Sequence, residues 1–173
     1  MPNPLNFNAK ISSENQFIAE FSNGISLHLK REDLLHPEVS GNKFRKLKYN
    51  ILEAQKQEKK TLLTFGGAYS NHIAATAAAG KISGLKTIGI IRGEELGQNL
   101  EKTLAQNRTL NFAYSCGMQF SFVSRGEYRQ KETLEFQNKL TEEFDEFYLV
   151  PEGGTNQLAI KGCEEILSEK DKE

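Results

Sequence analysis

The sequence is short of the features that mark several broad classes of protein. Its two cysteines, Cys116 and Cys163, lie far apart and neither belongs to a C-x-x-C pair. That spacing supports neither a disulfide framework nor a zinc site, so no metal is expected and both thiols should be reduced and partly buried. No sign of charge dominates, since 22 Lys+Arg against 23 Asp+Glu leave a formal net charge of -1. Nucleic acid is therefore an unexpected partner. No run approaches the roughly 18 apolar residues of a membrane span. Residues 1–9 show no basic segment followed by an apolar stretch, so the chain reads as soluble, unsecreted and cytoplasmic. Internal repeats, low-complexity tracts and flexible linkers are also missing.

What the sequence does contain is an alternation of short apolar runs and longer helical patterns. Residues 61–65, 87–91, 119–123 and 147–150 are brief, and the first three are rich in Val, Ile, Phe or Thr, as buried strands are. Between them, 71–81 is alanine-rich, 98–118 is long and mixed, and 128–144 alternates charge with Leu134, Phe136 and Leu140. Each of these three stretches predicts a helix. Strand and helix in alternation predict an α/β protein with a parallel sheet flanked by helices.

A further helix is predicted before the first of these strands, because Phe44, Leu47, Ile51 and Ala54 recur at spacings of three or four. Upstream, Ile25, Leu27 and Leu29 alternate with polar residues and predict a strand, the second half of a hairpin turning at Asn23-Gly24. Residues 157–167 predict a last helix, followed by a wholly charged tail over 168–173 that reads as a frayed end or as the solvated end of a helix in a longer protein.

Three clusters could carry chemistry. The first is Ser40-Gly41-Asn42-Lys43-Phe44-Arg45-Lys46, where a loop becomes a helix. Asn42 would cap that helix and Lys43 would project from its first turn. There the helix dipole disfavours a cation, and with desolvation this lowers the lysine pKa and frees neutral amine to attack a carbonyl carbon. The plain alternative is one more solvated lysine beside Arg45, Lys46 and Lys48.

The second cluster is Gly66-Gly67-Ala68-Tyr69-Ser70-Asn71-His72, a glycine-rich turn from strand into helix. Its free N–H groups could receive a carboxylate or phosphate, with Ser70, Asn71 and His72 pointing into the cleft. Alternatively Ser70 merely caps the helix and Asn71 satisfies the turn. Ser70 with His72 also suggests a serine hydrolase, but a nucleophile elbow needs Gly-x-Ser-x-Gly and His72 stands where its last glycine belongs. The third cluster, Val150-Pro151-Glu152-Gly153-Gly154-Thr155-Asn156, repeats the strand-glycine-helix pattern. Gly153, Gly154 and Thr155 could hold an anion, or the segment is a tight turn with Thr155 or Asn156 as cap.

Taken in order and spacing, Lys30-Arg31-Glu32-Asp33-Leu34, Gly41-Asn42-Lys43-x-Arg45-Lys46-Leu47, Gly66-Gly67-x-x-Ser70-Asn71-His72 and Pro151-Glu152-Gly153-Gly154-Thr155-Asn156 resemble one family. It is the pyridoxal-phosphate family of 1-aminocyclopropane-1-carboxylate deaminase and D-cysteine desulfhydrase, and the resemblance covers about residues 24–167. It implies the tryptophan-synthase β-like (fold type II) architecture of two lobes, here with most of the large lobe missing. Residues 1–47 would begin the large lobe, 48–150 would form the small α/β lobe and 151–173 would start the return into the large one.

The resemblance also implies roles. Lys43 looks like the Schiff-base lysine, with Asn42 beside it at the cofactor. Asn71 looks like the residue that hydrogen-bonds the cofactor's ring oxygen, and Ser70 like the active-site serine. Main-chain N–H groups around Ser70, Asn71 and His72 would receive the carboxylate of a small amino-acid substrate. The product would be a 2-oxo acid and ammonia. Gly153 and Gly154 would mark the return between lobes, because the family's phosphate-gripping loop lies in the half not present here. A homodimer is a further expectation, and so is an exposed apolar face on the first strand if the chain ends at Glu173. A non-catalytic α/β module that binds an anion is the competing expectation.

Overall fold

A computed structural model describes residues 6–9 and 11–171. Part of the N-terminal stretch read for a leader, and the last two residues of the charged tail, lie outside the described residues. The order of elements is β1 (Asn15–Glu20), β2 (Ser26–Lys30), α1 (Gly41–Lys56), β3 (Thr61–Gly67), α2 (Asn71–Ser83), β4 (Lys86–Arg92), α3 (Leu100–Gln106), α4 (Arg108–Ser115), β5 (Met118–Val123), α5 (Arg125–Arg129), α6 (Leu134–Phe144), β6 (Tyr148–Val150) and α7 (Gln157–Glu164).

The four apolar runs form one parallel sheet in the order β5-β4-β3-β6. Alternation along β3 divides its side chains between two layers. Leu62 faces the α1 and α2 side with Phe44, Leu47, Ile51, Ala78 and Val150. Leu63 and Phe65 face the α5 and α6 side with Tyr128, Phe136 and Leu140. Leu47 and Ile51 are sealed from solvent, each stabilising the fold by roughly 2 kcal/mol on burial. The chain runs outward through β3, β4 and β5, then returns to place β6 on the other side of β3. The gap between the carboxyl ends of β3 and β6 is therefore a topological switch point, where open α/β sheets bind ligands.

β1 and β2 pair as an antiparallel hairpin, and Gly24 turns it at φ +81. Phe21, Ile25, Leu27 and Leu29 on this hairpin are exposed. Cys116 and Cys163 are free and half-buried. Among the described residues no helix is long and apolar enough to cross a membrane.

Four expectations need correction. The helix over 98–118 is two helices, because Asn107 leaves the helical region and its side chain accepts from the Leu110 N–H at 2.9 Å, starting α4 afresh. The helix over 128–144 is likewise interrupted. Ser124 and Glu127 form a capping box for the short α5, and Thr133 caps α6. The last helix stops at Glu164 instead of Leu167, and the tail folds back rather than fraying at once: Asp171 accepts from Lys30 Nζ at 2.8 Å. Finally, Ser40 rather than Asn42 is the N-cap of α1, and its side chain makes no capping hydrogen bond.

Candidate functional site

Two glycine turns and the start of α1 meet at the switch point. Gly41, at φ +59, lets the chain swing from extended Ser40 into α1. Asn42 and Lys43 then fall in the first turn. Lys43 is half-buried, and its Nζ donates to the Gly153 carbonyl oxygen at 3.4 Å. Burial holds its pKa below the ordinary lysine value, and the Lys46 charge one turn on pushes the same way. Lys46 itself donates to Thr155 Oγ1 at 3.0 Å.

At the end of β3, Gly66 is required by close packing: a Cβ there would lie 2.4 Å from Ile73 Cγ1 of α2. The turn closes by Ser70 N–H to Gly67 O at 3.0 Å, and Ser70 caps α2, its Oγ accepting from the Ile73 N–H at a long 3.4 Å. Asn71 opens the helix and is exposed. A cleft of about 370 Å³ brings Asn71 together with Lys43, Asn42, Ser40, Glu38 and Ala75.

Ser70 does not line that cleft. His72 differs from expectation, because its ring turns inward rather than into the cleft and is only 2% exposed. Its Nε2 lies 2.8 Å from Thr64 Oγ1, and that hydroxyl donates its single proton to the Val150 carbonyl at 2.9 Å. Thr64 must then accept from His72, which fixes the Nε2–H tautomer. Burial, reinforced by the charges of Lys43 and Lys46 and only partly opposed by the Pro151 carbonyl, lowers the His72 pKa from 6.5 to about 3. Thr64 was missed from sequence. Its only signal is a hydroxyl set between the apolar Leu63 and Phe65 within β3.

Gly153 and Gly154 both have left-handed backbones, at φ +69 and +72. A Cβ on Gly154 would stand 3.1 Å from His72 Cε1. Asn156, not Thr155, caps α7, and it also donates to Asn50 Oδ1 at 2.7 Å. The third cluster is thus a fixed turn whose carbonyl and hydroxyl oxygens face two lysines.

The neutral state of His72 has a measurable consequence. In an unfolded chain the ring takes up a proton near 6.5, whereas in the folded protein it does so only near about 3. Stability is therefore lost as pH falls across that interval. The His72 ring resonances should stay constant in NMR titrations between about pH 5 and 8. A midpoint near that of a solvated histidine would contradict the inward, tautomer-fixed ring.

The switch-point cleft of a parallel sheet with a half-buried lysine at its rim defines an α/β unit of the fold-type-II architecture. A crystal structure of a homologue of 1-aminocyclopropane-1-carboxylate deaminase superposes with a TM-score of 0.64 at 24% identity, over 92% of this chain and 49% of that one. A hydrogen sulfide-producing enzyme of Fusobacterium nucleatum shares the fold with a TM-score of 0.55 at 15% identity, over 79% of this chain and 41% of that one.

By sequence the chain is homologous to the family of 1-aminocyclopropane-1-carboxylate deaminases and D-cysteine desulfhydrases. It is 37% identical over 151 residues to a Thermotoga maritima protein named as a provisional 1-aminocyclopropane-1-carboxylate deaminase, covering 85% of this chain and 46% of that protein. It is 34% identical over 151 residues to the mitochondrial bifunctional D-cysteine desulfhydrase/1-aminocyclopropane-1-carboxylate deaminase of Arabidopsis thaliana, over 85% of this chain and 37% of that one. The chain spans about half the length of these relatives or less. No protein-family profile matches it.

Proposed function

We propose that this chain supplies the lysine-bearing part of a pyridoxal-phosphate-dependent deaminase or desulfhydrase. Its substrate would be a small amino acid of the 1-aminocyclopropane-1-carboxylate or D-cysteine type, yielding a 2-oxo acid and ammonia. The observation that carries the reading is Lys43: a half-buried amine with a lowered pKa that shares one cleft with Asn71. In this reading residues 1–47 begin a large lobe, 48–150 form the small lobe, and 151–173 lead back.

The residues present fit the cofactor's aldehyde end. Lys43 offers an amine poised to lose its proton, and Asn71 offers an amide to a neighbouring ring oxygen. When bound, pyridoxal phosphate supplies an aldehyde carbon that accepts amines and a ring that takes up negative charge. Lys43 Nζ would give up its place to the substrate amine and then, as a free base, move protons at the substrate carbons. Its lowered pKa favours both tasks, since the neutral amine is the active form in each. The N–H groups at the start of α2 would receive the substrate carboxylate, and the Lys46 charge beside them favours an anion. Ser70, with its hydroxyl only weakly held by the cap, would serve as the reacting serine near that carboxylate.

The serine-hydrolase alternative loses its base. His72 Nε2 is committed to Thr64, and the ring is buried. The proposal is tested by incubating the protein with pyridoxal phosphate, reducing with borohydride and mapping the adduct by peptide mass. A dominant adduct on Lys43 is expected. No adduct, or one spread evenly over the surface lysines, would sink the reading in favour of a non-catalytic module.

A further inference from the structure

A second cleft, of about 480 Å³, lies on the other flank of the Gly67-Ala68-Tyr69 turn, at the carboxyl ends of β3 and β4. Arg92, Arg125 and Arg129 line it, and Glu95 is the single carboxylate in its wall. In a chain whose formal net charge is -1, this is a local excess of positive charge.

The arginines are not consumed by internal pairing. Among the described residues Arg92 and Arg129 make no ion pair or side-chain hydrogen bond, and Arg125 reaches Glu95 only at 4.0 Å with both groups exposed. Arg92 is nonetheless held in place. Its guanidinium lies 5.5 Å from the centre of the Tyr128 ring, and a Cβ on Gly67 would sit 3.5 Å from its Nη2. Stacking on an aromatic face leaves the edge donors of a guanidinium free for a bidentate oxyanion.

We infer that this arginine cleft is a binding site for a small, multiply charged oxyanion, distinct from the Lys43 cleft. The shared chemistry is a pair or triad of anionic oxygens that the guanidinium forks of Arg92 and Arg129 grip together, as phosphates and dicarboxylates both present. A bound anion would rest against residues 67–69, and so against the turn that delivers Ser70 and Asn71. The inference does not depend on pyridoxal phosphate, because no residue of the Lys43 cleft takes part in it.

The test is calorimetric titration of the protein with inorganic phosphate and, separately, malonate, at fixed ionic strength in chloride. Saturable one-site binding of at least one of them is expected, and the ligand that binds more tightly identifies which oxyanion class the site takes. Arg92→Gln and Arg129→Gln should each weaken that binding about tenfold, the loss of one charge-assisted pair. Arg108→Gln, outside the cleft, and Lys43→Ala should leave it unchanged. Circular dichroism verifies that the variants fold, and Arg129, being exposed, provides a substitution with little structural risk. Absence of saturable binding of either anion overturns the inference. So does binding that survives both arginine substitutions, or binding that Lys43→Ala abolishes.

Discussion

Lys43→Ala is expected to abolish the borohydride-fixed cofactor adduct, and in a full-length relative carrying the equivalent change to lower turnover about 10³-fold, within the range for loss of a general base. The neighbouring lysines cannot take over, because each is engaged elsewhere. Lys46 Nζ donates to Thr155 Oγ1 at 3.0 Å, pointing across to the third cluster. Lys48 Nζ is buried against Glu165 Oε2 at 2.6 Å, held away from the cleft. Among the described residues only Lys43 combines partial burial, a depressed pKa and a place in the cleft beside Asn71. Lys46→Ala is the informative comparison. Its charge helps depress the Lys43 pKa, so its removal should leave the adduct on Lys43 but slow its formation, most visibly at lower pH. An undiminished adduct in Lys43→Ala, or one transferred whole to Lys46, would remove the basis of the proposed chemistry.

How far the sequence revealed this architecture depended on the range of the forces involved. The strands at 61–67 and 86–92 were legible because burial on both faces demands apolar runs, and the half-buried edge strand at 118–123 because it is rich in Phe and Val; both signals are written locally. The helix breaks were not. Asn107 and Thr133 each start a new helix by accepting a backbone N–H, and the apolar periodicity continues across both without showing which of several polar residues will cap. The packing of α7 on α1 was also hidden. Gly162 is a helix-interior glycine in the sequence, yet a Cβ there would come 1.9 Å from the Arg45 carbonyl oxygen, so the crossing depends on its absence.

At the site, residue type and order brought out Lys43 and Asn71, which do share a cleft. Orientation was beyond reach. His72 follows Asn71 directly, but a step of about 100° around a helix turns its side chain from solvent to core. Whether that step leads to a ligand or to Thr64 depends on where β3 lies. The same limit applies to the charged motif upstream. In Glu32 and Arg45 it showed two ionisable residues near a candidate lysine, but not that they are each other's partners.

That pairing supports the second large expected effect. Glu32→Gln should destabilise the fold by about 3 kcal/mol, the lower end for breaking a buried ion pair by removing one partner. The Arg45 side chain is fully buried, and Glu32 grips it with both oxygens, Nε to Oε2 and Nη2 to Oε1 at 2.8 Å each. The Ile11 carbonyl accepts from Nη1 at 3.0 Å, and Glu165 stands off at 3.5 Å. Glutamine keeps the size but withdraws the charge, leaving a sealed guanidinium with that distant carboxylate as its nearest counter-ion. Solvent at the 13%-exposed Glu32 softens the loss and sets it at the lower end. The segment before α1 and the end of α7 are joined to α1 through Arg45, so the change should also loosen the helix that presents Lys43. The pH dependence follows in sign. Burial alone would raise the Glu32 pKa, but the Arg45 bonds, the Ser13 hydroxyl and nearby positive charge outweigh it and hold it below 4.5. Its stabilising contribution is complete above that value and is lost as pH falls through the depressed one. Urea unfolding should therefore separate wild type from Glu32→Gln widely at neutral pH and bring them together in acid. Equal midpoints at neutral pH would show that Glu165 alone suffices to hold the buried guanidinium.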